Sequence, residues 1–199
     1  MTKIRPGHLR LILASSSPYR RELLERLSLG FVCESPDIDE SPLVSESAED
    51  MVKRLARQKA EKIAEKYKDA IVIGSDQCLV LNNEILGKPG SHEAAVLQLA
   101  KLSGQTAVFL TGLCVINCAT DVARTDCIPF RVTFRRLNPD EITRYLEIEK
   151  PYQCAGSFRS ERLGIALLEK MEGIDPTALI GLPLIRLSEM LRAQGIKIP

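Results

Sequence analysis

Three hydroxyls, a proline, a tyrosine and two arginines stand in a row at Ser15-Ser16-Ser17-Pro18-Tyr19-Arg20-Arg21. They follow the apolar run Leu11 to Ala14. A strand is therefore expected to end at the serines, with a helix opening at Pro18 and Ser17 as its cap. The free amides of that first turn, the Ser15 and Ser17 hydroxyls and the Arg20 guanidinium together suit a phosphate. A well-capped helix with surface arginines accounts for the same residues. Neither GxxxxGK[ST] nor GxGxxG occurs in the chain, so P-loop kinase or NTPase chemistry is not expected.

The acids form a second group. Asp39-Glu40 lies in a loop rich in Asp, Glu, Ser and Pro, and Asp76 follows the apolar run Ala70 to Gly74. Carboxylates from separate loops can share a divalent cation such as Mg²⁺. Such an ion would neutralise a polyphosphate and orient a water, whose proton Asp76 would take or align. A solvated loop and a turn cap are the plainer readings. Lys59, on a helix with a crowded charged side, is either surface or a phosphate ligand. Lys88, in the stiff turn Gly87-Lys88-Pro89-Gly90, suits a point charge for a β- or γ-phosphate. Zinc is not expected, because the two histidines, His8 and His92, lie far apart without spaced cysteines.

Hydrophobic periodicity and caps predict the elements that must hold these groups. Strands are expected over Leu9–Ala14, Phe31–Glu34 and Ala70–Gly74, the last ending in the polar cluster Ser75-Asp76-Gln77. A hairpin is expected at 78–86, turned by Asn82-Asn83, and two long antiparallel strands over Thr106–Cys118 and Val122–Phe134. Helices are expected from Pro18 to a stop at Gly30, over Ala48–Lys66 behind the Ser47 cap, over Ser91–Leu102, from Asn138-Pro139 to Ile148, and from Pro183 to Ala193. Gly173–Thr177 reads as a turn. The class is α/β, a mixed sheet with flanking helices.

Composition fits one globular unit of 199 residues, 45% hydrophobic and 27% charged. Lys plus Arg is 27 against 26 acids, for a net charge of +1. No excess of positive charge calls for nucleic acid as a partner. No run is long enough for a signal core or a membrane span, so a cytoplasmic setting without membrane association is the expectation. The six cysteines lack any CxxC pairing and read as free thiols. The apolar run Val108 to Cys118 would suit either a core or a homodimer contact.

Beyond these readings the chain resembles the Maf-like nucleotide pyrophosphatases. The motifs are Ser15 to Arg20, Asp39-Glu40, Lys59-Ala60, Gly74-Ser75-Asp76-Gln77, Gly87-Lys88-Pro89, Thr111-Gly112, Ala155-Gly156-Ser157-Phe158 and Gly181-Leu182-Pro183-Leu184. They appear in the family's order, across about residues 9 to 193. The resemblance implies an elongated α/β fold with two lobes around a deep cleft within one domain, 1–199, related to inosine triphosphate pyrophosphatases. It implies hydrolysis of a nucleoside triphosphate to the monophosphate and pyrophosphate with Mg²⁺, Mn²⁺ or Co²⁺, often in a homodimer. By resemblance Asp76 is the proton acceptor, and Glu40 helps hold metal or water. Ser15, Arg20, Lys59 and Lys88 would hold the triphosphate, beside the Ser17 hydroxyl that the turn itself offers.

Three positions are similar to the 7-methyl-GTP branch rather than the dTTP and UTP branch: Tyr19, Gln77 and Glu161. A 7-methylated guanine is cationic, which suits the face of Tyr19. Glu161 would accept from the guanine N1–H and amine, and Gln77 offers both a donor and an acceptor. Standard nucleotides such as UTP or dTTP, or a nucleotide-binding regulator with little hydrolysis, remain the alternatives.

Overall fold

In a computed structural model, which describes residues 10–199, one mixed seven-stranded sheet organises the chain. Strand β1 (Arg10–Ala14) leads into helix α1 (Pro18–Glu25), then β2 (Phe31–Glu34) and α2 (Ala48–Ala64). The long strand β3 (Ala70–Leu81) turns into β4 (Glu84–Leu86), and α3 (His92–Leu102) follows. The pair β5 (Thr106–Asn117) and β6 (Val122–Phe134) precedes α4 (Pro139–Glu149). Short 3₁₀ turns, β7 (Leu168–Gly173) and α5 (Leu184–Ala193) complete the chain. The expected positions Leu9 and His8 lie outside the described residues. The sheet order is β2-β1-β3-β5-β6-β7, with β4 pairing β3. β1 is parallel to β2 and β3, and the remaining pairs are antiparallel.

Local chemistry explains most boundaries. Ser17, Ser47 and Ser91 cap α1, α2 and α3 through their hydroxyls. Asn138 and Glu141 form a reciprocal capping box on α4, with Pro139 in the first turn. Asn82 and Asn83 both take positive φ, as a two-residue hairpin turn requires.

Two boundaries differ from expectation. α1 ends at Glu25 rather than at Gly30, because the chain turns off at Ser28, which takes φ +53°. β3 does not stop at Gly74 but runs on through Ser75-Asp76-Gln77 to Leu81, since β5 pairs with it from Ile71 to Val80. The expected turn at Gly173–Thr177 begins as the last residue of β7.

Helix α2 covers one face of the sheet, where Ala56, Ala60 and Ile63 pack on Ile12, Val72 and Cys114. On the opposite face, α1 and α5 pack on Leu11, Leu13, Ile71 and Ile73. Farther along that face, α3 and α4 pack on Leu79, Phe109, Phe130 and Val132. The apolar stretch of β5 lies between β3 and β6 and is largely consumed by this core. All six cysteines are free; Cys78 and Cys114 are buried and Cys33 is exposed. Among the described residues no helix is long and apolar enough to cross a membrane.

Candidate active site

The site arises from a gap in the sheet. Along one edge of β3, β1 pairs residues 70–74 and β4 pairs residues 79–81. Ser75 to Cys78 carry no strand partner on that edge. A cleft of about 310 Å³ opens there, bounded by the Ser15–Arg20 segment, Glu40, Lys59, Lys88 and the 153–161 and 179–181 segments. Side chains of a strand alternate between faces, so Asp76 and Gln77 leave β3 on opposite sides.

Asp76 points toward α2, as do Gly74 and Cys78. Two glycines let α2 come this close. A Cβ at Gly74 would stand 2.1 Å from the Ala56 carbonyl oxygen, and one at Gly112 would stand 2.1 Å from that of Val52. The approach brings Lys59 Nζ to 2.6 Å from Asp76 Oδ1 and 2.7 Å from Glu40 Oε1. Lys59 is only 5% exposed and Asp76 7%. The surface reading of Lys59 is thus corrected: it lies in the same stripe as Val52, Ala56 and Ile63. The turn-cap reading of Asp76 is corrected too, since the strand continues past it.

Glu40 is half exposed at the cleft. Burial alone would raise its carboxyl pKa. The Lys59 hydrogen bond, with the charges of Lys59, Lys88 and Arg20, outweighs burial and holds it below the usual value. Its neighbour Asp39 turns away, capping the Ser41 N–H at 2.9 Å. Lys88 stands exposed on the cleft rim.

At the end of β1, Ser15 is buried and its hydroxyl accepts from the Ser17 N–H at 3.1 Å. The Ser17 hydroxyl accepts from the Arg20 N–H at 3.4 Å. Arg20 donates its Nε–H to the Gly181 carbonyl at 2.9 Å, so its other guanidinium nitrogens are left for an anion. Burial lowers the Arg20 pKa, opposed by the charges of Asp76 and Glu40, and the group stays a cation. The expected phosphate-facing serines, arginine and lysines therefore border one space.

The other end of the cleft has a different character. Phe109, Phe158 and Leu179 supply apolar lining, with Tyr19, Gln77 and Glu161 around them. Gln77 is not free in the way its residue type implied. Its Nε2 donates to the Ala178 carbonyl at 2.7 Å, with the Leu179 carbonyl and Thr111 hydroxyl also within reach. Only its amide oxygen remains for a ligand. Thr111 and Ser75 also bond the 178–181 backbone, a locking role that their residue types alone did not reveal. Glu161 is exposed at the rim. Burial raises the Tyr19 phenol pKa, helped by Cys154 and Glu161 and opposed by Arg159. Arg159 lies over the Tyr19 ring, a contact absent from the sequence reading.

One end of the cleft is therefore rich in cations around Glu40, with Asp76 buried behind Lys59; the other is largely apolar, edged by Gln77, Glu161 and Arg159. The family profile described as "Maf-like protein" matches residues 10–194. Relatives named 7-methyl-GTP pyrophosphatase are similar over nearly their whole length. That of Nitrosococcus oceani is 56% identical over 93% of both chains. That of Pseudomonas aeruginosa is 54% identical over 95% of this chain and 98% of its own. That of Alcanivorax borkumensis is 52% identical over 95% and 96%. A solved Ham1 protein of Staphylococcus aureus aligns with 63% of this chain and 71% of its own, at 18% identity and a TM-score of 0.45. From the profile match and from relatives more than half identical to it, the chain belongs to the Maf-like protein family.

Proposed function

We propose that this protein is a nucleoside triphosphate pyrophosphatase that hydrolyses 7-methyl-GTP to 7-methyl-GMP and pyrophosphate. The observation that carries the reading is the two-ended cleft, in a chain whose relatives bear that enzyme name. The triphosphate lies toward Arg20, Lys59 and Lys88, with the Ser15–Ser17 turn holding an oxygen. The base lies toward Tyr19, Gln77 and Glu161. The N1–H and exocyclic amine of guanine are donors, and the Gln77 amide oxygen and Glu161 carboxylate are acceptors that match them. UTP and dTTP present a carbonyl at the equivalent edge, so an acceptor there would face an acceptor. An unmet contact of this kind costs about 1–3 kcal/mol, or roughly tenfold to a hundredfold in preference.

In the reaction, water attacks the α-phosphorus and pyrophosphate leaves. Asp76 accepts or aligns the water's proton, and Lys59 holds Asp76 and Glu40 in place through its two short bonds. Arg20, Lys88 and Lys59 stabilise charge that builds on the phosphoryl oxygens and the leaving group. Glu40 and Asp76 also fit a small divalent cation. Both are oxygen donors brought together by Lys59, which bonds one oxygen of each and leaves the other for an ion beside it. Among the described residues no third acid, His or Cys joins them, so substrate oxygens and water would complete the set, as Mg²⁺ prefers. Such an ion would supply charge neutralisation at the phosphates; Mg²⁺, Mn²⁺ and Co²⁺ all suit these donors. A cytoplasmic setting accords with a nucleotide substrate.

The test is a panel of 7-methyl-GTP, GTP, UTP and dTTP, assayed for pyrophosphate with and without divalent ions. The expected result is metal-dependent release, greatest with 7-methyl-GTP. Equal turnover of all four would refute the base assignment, and a fully active Asp76→Asn protein would refute the chemistry.

A further inference from the structure

One charge pair at the base end has no part in the chemistry just described. The guanidinium carbon of Arg159 stands 5.1 Å from the centroid of the Tyr19 ring. Arg159 Nη1 donates to Glu149 Oε1 at 2.9 Å, and its Nε donates to Cys154 Sγ at 3.4 Å. Its backbone N–H donates to the Tyr145 hydroxyl at 3.2 Å. Glu149, the last residue of α4, has a side chain only 4% exposed, and its other oxygen accepts from the Leu163 N–H at 3.3 Å. A buried pair of this kind adds little net stability over apolar residues of similar volume. Its placement beside the base-binding ring gives it a different consequence.

We propose that Glu149, acting through Arg159, is a positioning residue that sets preference for a cationic base. The inference rests on the reading that Tyr19 meets that base. Arg159 occupies one face of Tyr19, and both side chains line the cleft. Arg159 without its counter-charge would repel a positively charged ring held in the cleft beside Tyr19, while a neutral ring would feel little. Glu149 cancels that charge and holds the guanidinium in place. Selection for 7-methylguanine then depends on a carboxylate that never touches it, as well as on Glu161 at the cleft rim.

The experiment compares kcat/KM for 7-methyl-GTP with kcat/KM for GTP, in the wild type, in Glu149→Gln and in Glu149→Gln/Arg159→Gln. The two substrates differ by a methyl group and one positive charge, so the ratio cancels any loss of folded protein or damage at the phosphate end. The ratio is expected to fall about five- to twentyfold in Glu149→Gln, the repulsion of two unit charges less than a nanometre apart in one cleft at an intermediate dielectric. In the double variant both charges are gone, and the ratio should return to within about threefold of wild type. A purely structural Glu149 would depress both substrates alike; an unchanged ratio in Glu149→Gln overturns the proposal. So does a double variant whose ratio stays with the single one. A wild-type ratio near one would remove the base-site reading itself, and this inference with it.

Discussion

Replacing Gly74 by alanine should damage the fold and the site in one stroke. The new Cβ would stand 2.1 Å from the Ala56 carbonyl oxygen and 2.8 Å from the Ala60 nitrogen, both in the α2 backbone. Backbone cannot rotate aside as a side chain can. Ordinary contact begins at 3.4 Å, so α2 must back away by roughly 1.3 Å, the difference from 2.1 Å. Lys59 directly precedes Ala60, and its 2.6 Å bond to Asp76 would be stretched past hydrogen-bond length by such a shift. Overpacking of this kind costs about 1–3 kcal/mol. In a chain of this size that lowers Tm by about 3–10 °C. A catalytic pair displaced by about an ångström loses on the order of a hundredfold in turnover. Thermal melts by circular dichroism read the first effect. Pyrophosphate release, measured well below both melting temperatures, reads the second. Gly30→Ala is the control, since a Cβ there meets nothing within 4 Å and should stay within about 0.5 kcal/mol of wild type. A Gly74→Ala protein with wild-type Tm and turnover would show that α2 does not need its close approach to β3.

Two further outcomes are expected. Glu161→Gln replaces an acceptor-only group with an amide that can also donate, and should lower the 7-methyl-GTP to UTP preference about tenfold or more; a steady-state comparison of the two substrates checks it. Glu40→Gln should cost about 1 kcal/mol or less at neutral pH, because the carboxylate is half exposed. The folded-state pKa of Glu40 lies below its ordinary 4.5. Its stabilisation is therefore fully present above pH 4.5 and is lost as pH falls through the lower folded value, so denaturant melts of variant and wild type should converge in acid. A gap that widened in acid would contradict the Lys59–Glu40 pairing.

Much of the scaffold was readable because its signals are local. The Ser17, Ser47 and Asn138 caps sit beside the helices they start, and Asn82-Asn83 closes its own hairpin. The depth of Lys59 was also within reach. It falls in the periodic stripe with Val52, Ala56 and Ile63, and only its charge argued for the surface. The length of β3 was not within reach. Ser75-Asp76-Gln77 looks like a strand end in one dimension, and its continuation depends on pairing with β5, more than thirty residues away in sequence. Gln77 was misjudged for a similar reason. Its amide type advertises a donor, but that donor is spent on the Ala178 carbonyl a hundred residues on.

Residue types and their order were enough to set the class of fold, the serine and arginine turn, the acids and lysines that could meet a polyphosphate, and the resemblance that joined them. Those are properties of short windows, where capping, periodicity and charge act between near neighbours. Three-dimensional packing alone decided that β1 and β4 leave part of the β3 edge open, that two glycines let α2 set Lys59 between Asp76 and Glu40, and that Arg159 rests on Tyr19 with Glu149 behind it. Each of these depends on which distant backbones come close enough to exclude water, and that is settled by the packing of the whole chain.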